Sequence, residues 1–579
     1  MYDLIIKNGR IVDGTGKDAF LGDIAITDGK IADIGILDEK QALSSIDAKK
    51  HWVTPGFIDP HSHADMSLLV WPQNEAYAMQ GVTTLICGNC GLAAGPIGDE
   101  TWEFWCWEYK SVNRVHKTIF QPYTFQTDAK KMKEALKEDY HLDVTWKTLG
   151  EFMDIAEQKG FSCNYYPLSG HNHIRNAVMG CAQRPATREE IEQMKALLYD
   201  DMEHGSQGFS TGLDYLPGRF ATMEEILELV KVVAEYDGVY NTHVRGFDPE
   251  NPQIPNRLYG VREATEICRR TGIKTNISHM SSLYSYSPSI NEEIEKQIAR
   301  ASVLELEKGW REEGLPMMYD VIANPSMGGS TIPYLISLLR PWVLMCGSIE
   351  NFIDKLAYDD FIEMMKEQVK GGKAMMLADK EIVEMIYIEQ CACLKYSNKS
   401  LRQIMEEENN DDLIDILINI VSKDAYTTMT FRESGGEDTV KILLDSERSM
   451  PCADGFSFNL ETEMDLPRPL NRLPHPNNYC FAIRYLLNYG PQRFEDKIRQ
   501  MTKVPADWFN ISDRGTLEKG KWADIVILDK DHLRTNEDPV NPGKAPDGID
   551  YVIINGKITV DHKKHTGMLN GKVLRKIHK

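Results

Sequence analysis

The chain has 579 residues, enough for several domains or for one barrel with insertions and a smaller satellite domain. Its 42% hydrophobic and 26% charged residues are ordinary for a soluble globular enzyme. The formal net charge of -22 argues against a nucleic-acid partner, which would need a basic face, and reads as a solubilising acidic surface.

No apolar run reaches the roughly 18 residues of a membrane span, so no membrane partner is expected. Met1 to Asn8 carries a lone Lys7 and passes straight into strand-like alternation, unlike a signal peptide. The 11 cysteines are scattered and odd in number, and without an export signal they read as reduced thiols of a cytoplasmic protein.

In chain order, Tyr2 to Ile11 is a β-rich run with Asn8-Gly9 as a tight turn, and Asp23 to Ile34 repeats the pattern around Asp28-Gly29. Ala523 to Leu528 and Tyr551 to Ile554 are similar runs at the far end, so both termini are expected to share one small β-domain. Between them, strand-like and helix-like stretches alternate. Val82 to Ile86 is β-rich. Arg188 to His204 has helical apolar spacing behind Thr187 as a candidate N-cap, and Gly208 to Ser210 is strand-like. Met223 to Tyr236 and Leu258 to Thr271 are helical, each followed by a short strand. This rhythm predicts βα units and a parallel sheet. Glu100 to Asp143, rich in aromatics, reads as a long loop over the site. Trp342 to Thr427 reads as a mostly helical insertion.

Residues able to do chemistry cluster at the predicted strand ends. His61 and His63, two apart after Val53 to Ile58, can share a face. Cys87-Gly88-Asn89-Cys90-Gly91 follows the second strand. Alone it fits a redox pair, half of a structural zinc knot, one metal-ligating thiolate or two buried cysteines. His243 and His279 each close a β-run, where a (β/α)₈ barrel carries its catalytic residues. Asp454 and Asp320 read singly as turn aspartates. Together these positions lie on the first, second, fifth, sixth and last strands, and a Cys/His/His set with an open position is a legitimate catalytic zinc shell.

The sequence resembles the D-aminoacylase (N-acyl-D-amino-acid deacylase) family of the amidohydrolase superfamily, from about Tyr2 to about Asn570. The resemblance rests on GFIDPHSHAD (56–65), GVTTLICGNCG (81–91), GFSTGLDYLPG (208–218), GVYNTHVRG (238–246), ISHMSS (277–282), Ala453-Asp454-Gly455 and the terminal NGRIVDG and KGKWADIVILD runs. It implies an α/β fold: a (β/α)₈ TIM-type amidohydrolase barrel over 55–489, a composite small β-domain from 1–54 and 490–579, and a helical subdomain inserted at 342–427. It also implies Zn²⁺ held tightly by Cys90, His243 and His279, with a second, weaker position at His61, His63 and Asp454. Asp454 would move the protons, with His61 and His63 beside the reacting carbonyl. The expected partner is a small-molecule amide substrate, and a homo-oligomer is compatible with the pattern.

Arg245, Ser281 and Asn477 are assigned to the substrate. Three positions depart from the family pattern. Ser281 stands where such deacylases carry a lysine, Asn477 follows Pro474-His475-Pro476 in place of an arginine, and Asp320 is followed by Val321, Ile322 and Ala323 rather than x-Tyr-Pro-Tyr. Because charge-assisted hydrogen bonds are each worth about 1.5–3 kcal/mol, these departures suggest retained chemistry on a changed substrate. The competing readings are a cyclic amidase of the hydantoinase or dihydropyrimidinase type and a non-catalytic barrel used for binding.

Overall fold

The computed structural model describes the chain apart from residues 66, 98–133, 135, 139, 181, 215, 285–290, 327–329, 332, 371–384, 433–435, 462–469, 471–472 and 577–579. Most of the aromatic stretch expected over the site, 100–143, lies outside the described residues.

Short parallel strands form the centre. They are β1 (Phe57–Asp59), β2 (Val82–Cys87), β3 (in two pieces, Asn164–Pro167 and Ser169–Gly170), β4 (Gly208–Gly212), β5 (Val239–His243), β6 (Lys274–Ile277), β7 (Met317–Ile322) and β8 (Ser449–Cys452). Each pairs in parallel with the next. The last returns to the first just beyond the strand ends. Ser62 and Gly455 form a parallel bridge, the His63 N–H donates to the Gly455 carbonyl (2.7 Å), and the Asp454 N–H donates to the His61 carbonyl (3.0 Å). The strands thus close on themselves, and the residues just past their C-terminal ends converge.

Helices connect successive strands, among them Arg188–Glu203, Met223–Glu235 and Arg257–Thr271. Thr187 caps the first of these in a reciprocal capping box with Glu190, satisfying two otherwise unpaired N–H groups. The opposite end of the ring is filled with apolar side chains. Ile58, Ile86, Tyr166, Met318 and Met450 pack against Trp508, Phe509 and Ile511. Residues just after 490, expected in the β-domain, therefore plug the ring. The helix Asn477–Asn488 leads into them through Phe494–Met501 and Lys503–Trp508, whose apolar residues have nowhere else to bury.

Both chain ends share one sheet. Ile525–Leu528 pairs antiparallel with Trp52–Pro55, which pairs in parallel with Tyr2–Ile11; hairpins extend the sheet on both sides. Its core is largely isoleucine, with Leu4, Ile6, Ile24, Ile26, Ile525 and Ile553 buried together. Between β7 and β8 a separate apolar core gathers residues from Tyr334 to Met429. The sequence pattern there is helical, but the segment also carries a three-stranded antiparallel sheet, Ile386–Gln390 with Lys399–Ser400 and Thr428–Phe431. The outer strands of that sheet are too short for a period of two to show.

Among the described residues, no helix is long and apolar enough to cross a membrane.

Candidate metal centre

Six side chains from five strand ends meet at one mouth of the ring. His61 and His63 follow β1, and Cys90 sits three residues past β2. His243 ends β5, His279 follows β6, and Asp454 follows β8. The alternation of β5 puts Asn241 and His243 on one face, where Asn241 Nδ2 donates to Asn89 Oδ1 (2.9 Å). That bond ties the Cys90 loop to the strand bearing His243. The loop is further fixed by the Gly91 N–H on Ser210 Oγ (2.9 Å). Gly91 has φ +74, and a Cβ there would lie 2.6 Å from Asn172 Oδ1, so the turn requires glycine.

Cys90 Sγ lies 3.3 Å from His279 Nε2, 3.8 Å from His243 Nδ1 and 3.3 Å from His61 Nε2; the two nitrogens His243 Nδ1 and His279 Nε2 are 2.8 Å apart. Zinc–nitrogen and zinc–sulfur bonds of about 2.0 and 2.3 Å at tetrahedral angles place donor atoms roughly 3.3–3.6 Å apart. The cluster is on that scale. Asp454 Oδ1 lies 3.2 Å from His63 Nε2 and 3.4 Å from His61 Nε2, so His61, His63 and Asp454 form a second donor group sharing His61 with the first. Soft thiolate, imidazoles and one carboxylate suit a zinc-like ion better than magnesium or calcium.

The electrostatics follow from burial and mutual contact. Burial opposes charge on Cys90, yet the facing His61, His279 and His243 hold its thiol well below the usual range, as a thiolate. Burial likewise opposes the charge on Asp454, but His63, His279 and His61 hold the carboxyl far down. His63 is pushed up to about 10 against its own burial, by Asp454 and Cys90. Cys87 behaves oppositely. Burial, with Asp65 nearby, pushes its thiol up, and both cysteines are free, so the CxxC is one charged and one neutral sulfur.

Of the three residues expected at the substrate, two are committed to other partners. Arg245 is buried. Its Nε donates to Glu263 Oε2 (3.2 Å) and its terminal nitrogens to the carbonyls of Arg219 and Ala221, so its guanidinium braces the backbone around His243. Asn477 is also buried. Its Nδ2 donates to the Ala453 carbonyl (2.6 Å) and its N–H to His475 Nδ1 (3.0 Å), which props up the Asp454 segment. Ser281 does line a cavity beside His279, and its hydroxyl accepts a hydrogen bond from Arg257 Nη1.

Other acids at the site were not singled out as partners by the sequence reading. Asp320 accepts from the His279 N–H (2.6 Å) and Asn276 Nδ2 (2.5 Å), and its Oδ1 lies 3.4 Å from His61 Nδ1. Asp59 Oδ1 accepts from the N–H groups of His61 (3.2 Å) and Ala453 (3.1 Å), linking the first and last strand ends. Asp214, after β4, lies 3.4 Å from His243 Nε2. Only the position of each acid near a strand end could have marked it.

A model of the amidohydrolase family matches residues 45–121 and 491–560. D-aminoacylase of Alcaligenes xylosoxydans xylosoxydans is 24% identical over 579 residues, covering 99% of this chain and 97% of the relative. N-acyl-D-glutamate deacylase of the same organism is 26% identical over 558 residues, covering 96% and 93%. The crystal structure of N-acyl-D-glutamate deacylase from Bordetella bronchiseptica, complexed with zinc and a phosphonate inhibitor, superimposes with a TM-score of 0.65 at 25% identity, covering 99% of this chain and all of that one. The fold is of the amidohydrolase α/β type, and the chain is similar in sequence to amidohydrolases. Over nearly its whole length the similarity is to D-aminoacylases and N-acyl-D-amino-acid deacylases.

Proposed function

We propose that this protein is a zinc-dependent hydrolase that cleaves the amide C–N bond of an N-acyl amino acid, in the manner of an N-acyl-D-amino-acid deacylase. The carrying observation is the convergence of Cys90 Sγ, His243 Nδ1 and His279 Nε2 within 3.8 Å of one another, with Asp454 within reach across His61. In this reading the parallel ring is a (β/α)₈ barrel, the sheet shared by both termini is a small composite domain, and the core built from Tyr334 to Met429 is an inserted subdomain.

Cys90, His243 and His279 would hold the tighter ion, and His61, His63 and Asp454 a second, weaker one. A zinc ion there would acidify the attacking water and polarise the amide carbonyl. Asp454, held ionised by the surrounding imidazoles, takes the proton from that water at a carboxylate oxygen and then passes it to the departing nitrogen. That return matters because an amide nitrogen leaves poorly without a proton. His63 Nε2, 3.2 Å from Asp454 Oδ1, aims the carboxylate. His61 and His63 flank the place where negative charge develops on the carbonyl oxygen.

The departure at position 281 has a structural counterpart. The Ser281 hydroxyl accepts a hydrogen bond from the Arg257 guanidinium, which supports a reading in which the helix Arg257–Thr271, and not position 281, supplies the cation for a substrate carboxylate. The small adjoining cavity has apolar walls in Val321, Ile322, Val440 and Leu443 and polar ones in Asn324, Ser326 and Thr439.

The test is an assay of zinc-loaded protein on N-acetyl-D-leucine, N-acetyl-L-leucine and a hydantoin. Release of acetate and D-leucine is expected. Opening of the cyclic amide alone would replace this reading with a cyclic amidase, and no turnover of any of the three would remove it.

A further inference from the structure

The two nitrogens of His243 point in opposite directions. Nδ1 faces the donor cluster, 2.8 Å from His279 Nε2 and 3.8 Å from Cys90 Sγ. Nε2 faces Asp214 Oδ2 at 3.4 Å. A neutral imidazole carries one proton, and the nitrogen without it has the lone pair a metal needs. The group that holds the proton on the outer nitrogen therefore decides whether the inner one can ligate.

Asp214 is held in place by backbone. It lies two residues past β4, whose Gly212 is in register with His243, and the Leu213 N–H donates to the His243 carbonyl (3.1 Å). Its second oxygen, Oδ1, accepts the Gly246 N–H (2.7 Å). Gly246 has no alternative side chain to offer: a Cβ there would lie 2.7 Å from Asp214 Oδ2, inside van der Waals contact with the oxygen that faces His243. Arg257 is near enough for its charge to act on the same carboxylate. The carboxylate is thus anchored on one oxygen and aimed with the other.

We infer that Asp214 is a positioning residue for the metal centre: it fixes His243 as the tautomer protonated at Nε2, leaving Nδ1 as the ligand, and Gly246 is the glycine that makes room for it. The inference rests on the reading that the cluster holds a metal. It adds a residue outside the ligand set, just past a strand that contributes no ligand. Carboxylates behind metal-bound imidazoles typically change metal affinity by 10–100-fold when removed.

The discriminating variant is Asp214→Asn. Its amide oxygen can still accept the Gly246 N–H, so the turn keeps its bond. Its NH₂ group is then presented to Nε2, which favours the opposite tautomer. Zn²⁺ and Co²⁺ affinities are measured by chelator competition at neutral pH, with no substrate present, alongside the visible spectrum of the Co²⁺ form and thermal unfolding of the metal-free protein. The expected result is a 10–100-fold loss of affinity and an altered Co²⁺ spectrum, with metal-free unfolding unchanged and partial recovery in Asp214→Glu. Gly246→Ala should lose affinity in the same way. Affinity equal to wild type in Asp214→Asn would overturn the inference, and so would a fall in metal-free stability that accounts for the lost affinity. Wild-type protein that takes up neither ion would instead remove the metal reading itself.

Discussion

The Cys90 sulfur lies 3.3 Å from His279 Nε2, and both residues hold left-handed backbones, with φ of 54° and 35°. Asp454 shares the feature at φ 48°. Non-glycine residues avoid this region at a cost of roughly 1–2 kcal/mol each. Three of the six side chains at the centre are therefore aimed by backbone that the surrounding hydrogen bonds must hold in place. Two variants separate strain from ligation at Cys90. Cys90→Ala keeps the strained turn and should abolish tight zinc binding. Cys90→Gly should also lose zinc but be about 1 kcal/mol more stable than Cys90→Ala in the metal-free form, by urea unfolding. Zinc retained at full stoichiometry in Cys90→Ala would place the ion elsewhere.

Asp454→Asn should keep zinc and lose turnover. Asp454 is the one acid among the six, and general acid–base help of this kind is worth about 10²–10⁴-fold. The amide removes the proton acceptor while preserving the shape of the site. The expected outcome is a fall in kcat of at least about 100-fold, with the tightly held zinc of Cys90, His243 and His279 retained by elemental analysis. A variant that stays active would move the proton-handling role to another group.

What the sequence made readable at this site is what depends on strand ends. The side chains of the cluster sit where period-two runs stop, and a parallel ring brings such points together whatever lies between them. Partner choice across the sheet is not readable in that way. Asp214 matters because Gly212 is in register with His243, and Asp320 because Asn276 and the His279 N–H flank it; neither relation leaves a periodic trace. Arg245, assigned to the substrate from the sequence, follows His243 by two positions. The chain then turns back, and Glu263 on the next helix claims it. Gly260, where a Cβ would strike the Arg245 backbone, was the available sign of that close packing.

Arg257 gives a sharp substrate test. If its guanidinium meets a carboxylate, Arg257→Met should raise KM for N-acetyl-D-leucine by roughly 10–100-fold, the equivalent of one charge-assisted hydrogen bond of about 1.5–3 kcal/mol. N-acetyl-D-leucinamide, which lacks that charge, should change little. Equal losses on both would make Arg257 a brace for the Ser281 segment and would leave the anion to be recognised elsewhere.

Arg245 and Asn477 should behave as structural residues. Arg245 and Glu263 form a buried pair, with side chains 2% and 3% exposed. Removing one partner leaves a charge without compensation in a low dielectric, typically about 3–5 kcal/mol. Arg245→Ala should therefore lower stability by that order, and Arg245→Lys should recover little, because a point charge cannot reach Glu263 and two carbonyls at once. Asn477→Ala leaves the Ala453 carbonyl without its 2.6 Å donor and should lower stability by about 1–3 kcal/mol. It should also lower kcat, since Asp454 directly follows Ala453. Asn477→Arg forces a cation into a fully buried place and should be worse than alanine. Thermal unfolding of the metal-free variants orders these effects. If Arg245→Ala kept wild-type stability and changed only KM, Arg245 would return to the substrate side of the site.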